Sequence, residues 1–329
     1  MTGFLIRRLL GIAATLLVIC AVTFCIFYLL PSDPATQFCG KDCAPDQIAL
    51  VRKQMGLDAP LIVQFGHYVL AIFAGRTMGS GQYAVQCNFP CFGYSFQSGR
   101  PVWDLMMDRF PTSASLAVGA ALLWVFFGLS AGVLSALKKN SWIDRTVMVG
   151  TIGAAALPVY FTAMILLYVV VTVLGLIPYP RYIAFSEDPV GWLRNLILPW
   201  ITLALASAAI YARMTRSSVI ETLAEPYVRT ARAKGLPERR VVAKHGLRPA
   251  LTPVVTMLGM DLGSLLAGAM ITESLFGLPG VGKLFADSLS KSDQPVVMGI
   301  TLLASFFIVS SNLVVDLVYA WIDPRARLS

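Results

Sequence analysis

One stretch of the sequence fits the start of a nucleotide-binding loop. Gly277-Leu-Pro-Gly-Val-Gly282-Lys283 matches G-x-x-x-x-G-K, a pattern in which backbone N–H groups and the lysine hold phosphates. Leu284 stands where a Ser or Thr hydroxyl would be needed for magnesium, and no strand pattern precedes the motif. The distribution of Lys and Arg also places it on the extracytoplasmic side. The segment is therefore predicted to be an external Gly/Pro-rich turn, shaped for insertion into a partner, and not a phosphate site.

Four cysteines lie together in a polar part of the chain. Cys39, Cys43, Cys87 and Cys91 form two C-x-x-x-C pairs between residues 31 and 110. This spacing differs from the C-x-x-C of zinc knuckles, so disulfides are favoured over a metal site. Four cysteines allow three pairings, and the spacing does not choose among them. We predict no metal site.

Other catalytic patterns are missing from the sequence. There is no G-x-S-x-G or H-E-x-x-H motif, and the chain has 2 histidines. We therefore expect a non-catalytic chain that binds no cofactor itself, with energy supplied by an ion gradient or by another subunit.

The longest charged run, residues 221–249, carries seven Lys or Arg against three Glu. Pro226 and Gly235 are positioned to start and stop one short helix, and Pro237 and Gly246 a second. On the first helix, Tyr227, Val228 and Ala231 are predicted to form a small apolar ridge that fits a groove on another protein. The alternative is a basic loop held at anionic headgroups by charge alone.

The rest of the chain has the composition of a membrane protein. Of its 329 residues 57% are hydrophobic and 13% are charged, and the mean hydropathy is +0.70. Spanning helices need about 20 apolar residues. Six segments meet or nearly meet this length: Leu9 to Leu30, Thr112 to Leu137, Thr146 to Ile177, Leu196 to Ala212, Ala250 to Thr272 and Val296 to Val315.

These segments divide the chain into three parts: residues 1–30 with the first span, an extracytoplasmic segment 31–110, and a core 111–329 that contains the charged run. Within 31–110, Leu61 to Ala74 is too short to span and is predicted to be an interfacial helix closed by Gly75. The second span is predicted to start at Pro111, the fourth to be short and opened by Pro199, and Pro158 to bend the third.

More than half of the 26 Lys and Arg residues fall on one side if the N-terminus is cytoplasmic. This arrangement makes both termini and the run 221–249 cytoplasmic. The net charge of +8 then reflects anionic lipid, and no nucleic-acid motif is present.

Three polar residues in or next to the predicted spans are candidates for a pathway or for helix pairing, because charge inside a membrane is costly. Asp261 is either a lining residue of a wet pathway or half of a structural pair, and Gly259-x-x-x-Gly263 beside it allows close approach of another helix. Asn312 and Asp316, one turn apart, are predicted to pair structurally.

The run 221–249 also carries a family resemblance. Tyr227-Val-Arg-Thr-Ala-Arg-Ala-Lys-Gly235-Leu resembles the E-A-A-x-x-x-G loop of ATP-binding-cassette importer permeases, in the variant of the dipeptide, oligopeptide and nickel family. Further matches follow in family order: Met55-Gly-Leu-Asp-Ala-Pro-Leu61, Gly99-Arg-Pro-Val102, Arg109-Phe-Pro111, Thr272-Glu-Ser-Leu-Phe-Gly-Leu-Pro-Gly-Val-Gly282, Gln294-Pro-Val-Val297, Asp316-Leu-Val-Tyr319 and Asp323-Pro-Arg325. The chain is similar to the B-type permease subunit of a peptide importer.

This resemblance implies an all-α polytopic fold of the type I importer permeases with six transmembrane helices, in the cytoplasmic membrane of a prokaryote. It implies a second permease subunit, two cytoplasmic ATPase subunits that hold ATP and magnesium, and an extracytoplasmic binding protein. The substrate would be a di- or oligopeptide, with nickel or another small solute as alternatives. A gradient-driven carrier is the rival from another class, and Asp261 is its main support.

The resemblance also assigns roles to two segments. The ATPase-coupling residues would be Tyr227, Val228, Arg229, Thr230, Ala231, Arg232, Ala233, Lys234, Gly235 and Leu236. The loop offered to the binding protein would be Phe276, Gly277, Leu278, Pro279, Gly280, Val281 and Gly282. The cysteine-bearing insertion Cys87 to Cys91 departs from the family pattern.

Overall fold

The computed structural model describes residues 2–29, 58–78, 85–95 and 97–322, together with the single positions 46, 49 and 52. The helices of these parts are α1 (Thr2–Leu29), α2 (Leu61–Ala74), α3 (Val102–Leu137), α4 (Trp142–Ala156), α5 (Val159–Leu166), α6 (Pro189–Ala224), α7 (Pro226–Ala233), α8 (Glu238–Arg240), α9 (Arg248–Ala250), α10 (Thr252–Leu266), α11 (Met270–Leu275), α12 (Val281–Ser290) and α13 (Gln294–Ile322). Two π-helical segments, Leu167–Val173 and Val241–Leu247, extend α5 and join α8 to α9.

Several of these helices are long and apolar enough to cross a membrane. In the described parts four qualify alone: Ile6–Ile26, Val102–Leu137, Pro189–Ala224 and Gln294–Val318. The number rises to six if each of two bent pairs is one span, namely Trp142–Ala156 with Val159–Val173 and Glu238–Ala250 with Thr252–Leu266. The bends are 99° and 45°. Each of the six predicted spans overlaps one of these candidates, but the fifth candidate also contains Glu238–Ala250, nearly all of which is predicted to lie in the cytoplasmic run 221–249.

The chain divides into two compact units, residues 1–111 with 280–307 and residues 112–279 with 308–329. In the first unit, α1 packs on α2 through Phe24, whose ring lies 5.6 Å from Phe65 and 6.0 Å from Tyr68. The structure confirms the helix Leu61–Ala74, followed by Gly75 at φ +72°.

Two short antiparallel hairpins belong to the same unit, β1 (Arg76–Met78) with β2 (Val85–Cys87) and β3 (Tyr94–Ser95) with β4 (Arg100–Pro101). The apolar core beside them comes from α3, α12 and α13, with Val102, Met106 and Val281 fully buried. These strands are a small addition to an otherwise helical chain.

In the second unit, α6 packs along α3. Trp124 and Tyr211 are the largest fully buried side chains described there, with ring centres 6.1 Å apart. A side chain at Gly119 would overlap Trp200, and one at Gly132 would meet Thr215. The absence of side chains at these glycines lets the two helices approach closely, as is common for helices in a membrane.

Two predicted helix starts are wrong. Helix α3 starts at Val102, not at Pro111, which lies within it. Helix α6 starts at Pro189 and contains Pro199. A search for runs without charged residues finds only the apolar middle of a helix. The helical hydrogen bonds continue beyond it into the polar ends. For α6 the true start signal was Asp188, whose carboxylate accepts a 3.1 Å hydrogen bond from the N–H of Val190.

Pro158 separates α4 from α5, as predicted for a proline inside the third span. Leu157 and Pro158 are both extended, so the helix stops at Ala156 and restarts at Val159. Proline cannot donate the backbone hydrogen bond and disfavours helical geometry in the residue before it. The result is the sharp bend of 99°.

Candidate functional site

The charged run 221–249 begins in the last turn of α6 and continues into the short helix α7, for which the sequence predicts both ends. Pro226 occupies its first turn, and Gly235 follows its end at φ +75°. Proline lacks only a donor that has no partner in the first turn, and glycine adopts positive φ without strain. The predicted start and stop are confirmed.

The predicted outward ridge on α7 is wrong for two of its three residues. Val228 is fully buried and Ala231 nearly so, packed with Val241 and with Leu223 and Leu236. An eight-residue helix is not stable alone, and the small apolar face of α7 is covered by the end of α6 and by the chain that follows α7. Of the coupling residues, those exposed on the surface are Tyr227, Arg229, Thr230, Arg232, Ala233, Lys234 and Gly235.

Polar contacts fix α7 against the following segment. Arg232 donates from Nη2 to Glu238 Oε1 at 2.8 Å and from Nε to Oε2 at 3.2 Å. This ion pair raises the pKa of Arg232. The hydroxyl of Tyr227 donates to the carbonyl of His245 at 3.3 Å, and partial burial raises the pKa of this tyrosine. The exposed face of α7 is therefore presented in a defined orientation.

Gly246 does not end the second helix. The π-helical segment Val241–Leu247 runs through it into α9. Gly246 is buried, and a Cβ there would lie 2.7 Å from Leu223 Cδ2. Close packing, rather than a helix stop, explains this glycine.

Asp261 has a protein partner on another helix. The hydroxyl of Tyr211 in α6 donates to Asp261 Oδ2 at 2.7 Å, and Asp261 is half-buried. On the same helix α10, a Cβ at Gly259 would overlap Val315, and one at Gly263 would lie 2.9 Å from Ser311 Cβ. The predicted close helix approach at this glycine pair is confirmed, with α13 as the neighbour.

The other two polar candidates lie on α13. Asn312 is exposed and Asp316 is half-buried with a partner of its own. Ser311 and Val315, one position before each of them, face the glycines of α10.

The predicted binding-protein loop has its apolar side chains packed inside the chain. Phe276 and Leu278 are fully buried in the core of the second unit, and Val281 is fully buried in that of the first. Gly277, at φ +65°, is exposed. If this loop contacts a binding protein, as predicted, its apolar side chains can take part only by leaving the cores in which they are buried. Helix α11 precedes the loop, in agreement with the rejection of a phosphate motif.

The structure joins Cys87 and Cys91 in a disulfide that closes a loop over Asn88, Phe89 and Pro90. Cys39 and Cys43 lie outside the described residues. In the described parts no group of three or more His, Cys, Asp or Glu side chains could hold a metal ion.

Sequence reasoning missed the buried carboxylates, of which two pair across long stretches of sequence. Glu273 is fully buried and accepts from Ser113 Oγ at 2.7 Å, across 160 sequence positions. Asp144 is buried against Arg216, 72 positions away. An acidic residue within or beside an apolar segment is a signal of such a pair, but the partner is set by the fold.

The fold and these segments can be compared with known proteins. Residues 1–117 match the N-terminal family of binding-protein-dependent transport system membrane components, and residues 128–328 match the family described as binding-protein-dependent transport system inner membrane component. The chain belongs to this family. It is thus an importer permease subunit of the ATP-binding-cassette class and a multi-pass inner membrane protein, which decides against a gradient-driven carrier.

Relatives of this permease share nearly its whole length. It is 39% identical over 327 residues to proteins named glutathione transport system permease protein GsiC from Salmonella choleraesuis (strain SC-B67) and Escherichia coli (strain K12), with 99% of each chain covered. A solved structure of the MetNI methionine ABC transporter in inward-facing conformations matches with a TM-score of 0.54 and 17% identity, over 67% of this chain and 97% of that one. This likeness confirms the type I importer permease fold.

Proposed function

We propose that this permease carries di- or oligopeptides across the cytoplasmic membrane, driven by separate ATPase subunits that dock on α7. The substrate class is supported by the relatives named for transport of glutathione, which is itself a tripeptide. A second candidate from the same family resemblance is nickel or another small solute. ATP and magnesium would be held by the ATPases, and this chain would contribute the pathway.

The observation that carries the docking proposal is the division of α7 into two faces. Its inward face is anchored by Val228 and Ala231. Its outward face carries Tyr227, Arg229 and Lys234, all exposed. A rigid aromatic side chain flanked by cations is typical of protein interfaces, in which Tyr and Arg are enriched. A loop held at lipid headgroups by charge alone would not need this anchored orientation.

The same proposal places the other partners. Both termini and the run 221–249 are cytoplasmic by the distribution of Lys and Arg, and the external binding protein meets the opposite side. A second permease subunit completes the pathway. Large apolar side chains such as Phe126, Tyr160 and Met164 are exposed on the second unit, where lipid or that subunit would cover them.

Asp261 belongs to the pathway in this proposal. Its side chain stays half-exposed although it accepts a hydrogen bond from Tyr211 and its helix packs closely on α13. Because a carboxylate in contact with lipid is costly, the exposed part must meet water or protein.

In the proposed cycle, closure of the ATPases on ATP moves α7 and favours an outward-facing arrangement of the spans, and hydrolysis resets it. ATP binding and hydrolysis drive the cycle because they change the relative stability of the inward-facing and outward-facing arrangements.

Association tests the docking step. The tagged permease is coexpressed with the second permease and the two ATPases, and the ATPase that copurifies is quantified. We expect the double variant Arg229→Glu/Lys234→Glu to lose the ATPase. The control Arg248→Glu reverses an exposed charge in the same run and should retain it. Equal retention of the ATPase in both variants would refute docking on α7.

Uptake tests the substrate class. The complex is reconstituted in liposomes with its binding protein, and ATP-dependent uptake of glutathione, trialanine and Ni²⁺ is compared. The proposal expects uptake of at least one peptide probe and no uptake of free Ni²⁺. Uptake of Ni²⁺ without uptake of either peptide would contradict a peptide substrate and support nickel as the substrate.

A further inference from the structure

A single carboxylate gathers hydrogen bonds from three parts of the second unit. Asp144 accepts from Arg216 through Nε at 2.7 Å and Nη2 at 2.8 Å. It also accepts from the backbone N–H of Asn140 at 2.9 Å and from the hydroxyl of Ser135. Ser135 belongs to α3, Asn140 to the turn after it, and Arg216 to α6. Two parallel guanidinium hydrogen bonds fix both distance and angle, which a lysine could not do.

This carboxylate is also the main buried anchor of α4. Among the fifteen residues of that helix, Asp144 and Thr151 are the buried ones. The Thr151 hydroxyl donates to the carbonyl of Met148 in the same helix. Beyond them Val149 and Ile152 are exposed, and a Cβ at Gly150 or Gly153 would touch nothing within 4 Å. The attachment of α4 therefore combines the hydrogen bonds of Asp144 with half-buried Ile143, Val147 and Met148, on a helix that lies along α6.

The partner of Asp144 lies on the helix that leads into α7. Seven positions after Arg216, which is about two helical turns, Leu223 packs against Val228 of α7. Between them Val219 is fully buried with Ala136 and Ala250. The last turns of α6 are thus held to α7 at one end and to Asp144 at the other.

On the basis of the proposed function, we infer that the Asp144–Arg216 ion pair fixes the position of α4 on α6. Helix α4 then moves as one rigid body with the end of α6 and with α7. Force applied at α7 reaches α6 through Leu223, and the ion pair then carries α4, the first half of the bent third span. Without the pair, α4 keeps its half-buried apolar contacts but loses the directed hydrogen bonds that set its position relative to α6. Arg216 and Asp144 are positioning residues in this account and contact no substrate.

The test measures one distance in the assembled complex. Spin labels are attached through genetically encoded azides in place of Val149 on α4 and Ala243 beside α7, both exposed. The distance is recorded by pulsed electron paramagnetic resonance without nucleotide and after trapping with ATP and vanadate. In the wild type we expect the same distance in both states. In Asp144→Asn we expect the distance to shift, or its distribution to broaden, on trapping.

The control is Arg213→Gln, which removes an exposed cation one turn before Arg216 and should behave like the wild type. If Asp144→Asn does not assemble, Arg216→Lys keeps the charge but lacks the paired geometry, and the same shift is expected. A distance that changes on trapping in the wild type, or that stays constant in every assembled variant, overturns the inference. Loss of the ATPases from the wild-type complex would instead refute the proposed function.

Discussion

The hydroxyl of Tyr211 donates a 2.7 Å hydrogen bond to Oδ2 of Asp261, joining α6 to α10 across 50 positions of sequence. The tyrosine is buried beside Trp124, whereas the aspartate is half-buried. One carboxylate oxygen of Asp261, which lies in a candidate span, is therefore hydrogen-bonded within the protein, while part of the side chain stays exposed. This geometry supports a structural pair and is compatible with a pathway position.

Replacing Tyr211 by Phe removes that donor and leaves the ring packing in place. A hydrogen bond to a charged group contributes about 1.5–3 kcal/mol, so we expect a lower midpoint of thermal unfolding for the purified permease in detergent. The matched control is Tyr168→Phe, since the Tyr168 side chain is 64% exposed. Equal midpoints for the two variants would show that the Tyr211 hydroxyl adds no stability.

The glycine pair on α10 gives a second stability prediction. In Gly263→Ala the new Cβ would lie 2.8 Å from Ser311 Oγ and 3.0 Å from Ile308 Cα, and the latter is backbone. Overpacking of this kind costs about 1–3 kcal/mol, so the unfolding midpoint should fall. Gly150→Ala on α4 meets nothing within 4 Å and should raise it slightly through helix propensity. The two substitutions are chemically identical, so a similar effect of both would contradict close packing at Gly263.

The features that the sequence predicted well depend on neighbouring residues. Pro226 and Gly235 bound α7, and Leu61–Ala74 is a helix, because proline and glycine impose local backbone geometry. The packing of Gly259 and Gly263 follows the same logic, since small residues one turn apart leave a groove on a helix.

The features that it missed depend on the fold. Asp144 with Arg216 and Ser113 with Glu273 are distant in sequence, so no local pattern pairs them. The inward face of α7 was missed for a related reason. A ridge formed by Val228 and Ala231 has the same periodicity whether a partner or its own chain covers it.

Gly235 is expected to be sensitive to backbone geometry rather than to size. Its φ is +75°, and a Cβ there would touch nothing within 4 Å. A left-handed conformation costs most residues about 1–2 kcal/mol, and asparagine tolerates it better. We expect Gly235→Val still to hydrolyse ATP, but to take up at least about fivefold less substrate per ATP than the wild type. Fivefold is the lower end of the factors by which coupled sites typically affect each other.

Gly235→Asn is the matched control and should retain most of the uptake per ATP of the wild type. Both quantities are measured in the reconstituted complex with the peptide probes, and membrane insertion is checked by the amount of purified permease. Normal coupling in Gly235→Val would show that the turn geometry is not required.

Asp293 gives the first unit a predictable dependence on pH. Its buried carboxyl accepts a hydrogen bond from the Ser95 hydroxyl, and burial raises its pKa above the usual range despite that bond and the nearby Lys291. A raised pKa in the folded state means that folding favours the protonated form. Its contribution to stability is therefore complete below the pKa of the unfolded chain, about 3.9, and is lost as pH rises through the folded value.

We expect hydrogen exchange at Tyr94, Ser95 and Arg100, corrected for the intrinsic pH dependence, to show weaker protection at pH 7 than at pH 4. Asp293→Asn keeps an acceptor for Ser95 but cannot ionise, so the difference between the two pH values should shrink. Asp287→Asn, an exposed position on α12, should leave the difference unchanged. If Asp293→Asn and the wild type show the same difference, ionisation of Asp293 does not govern the stability of this hairpin.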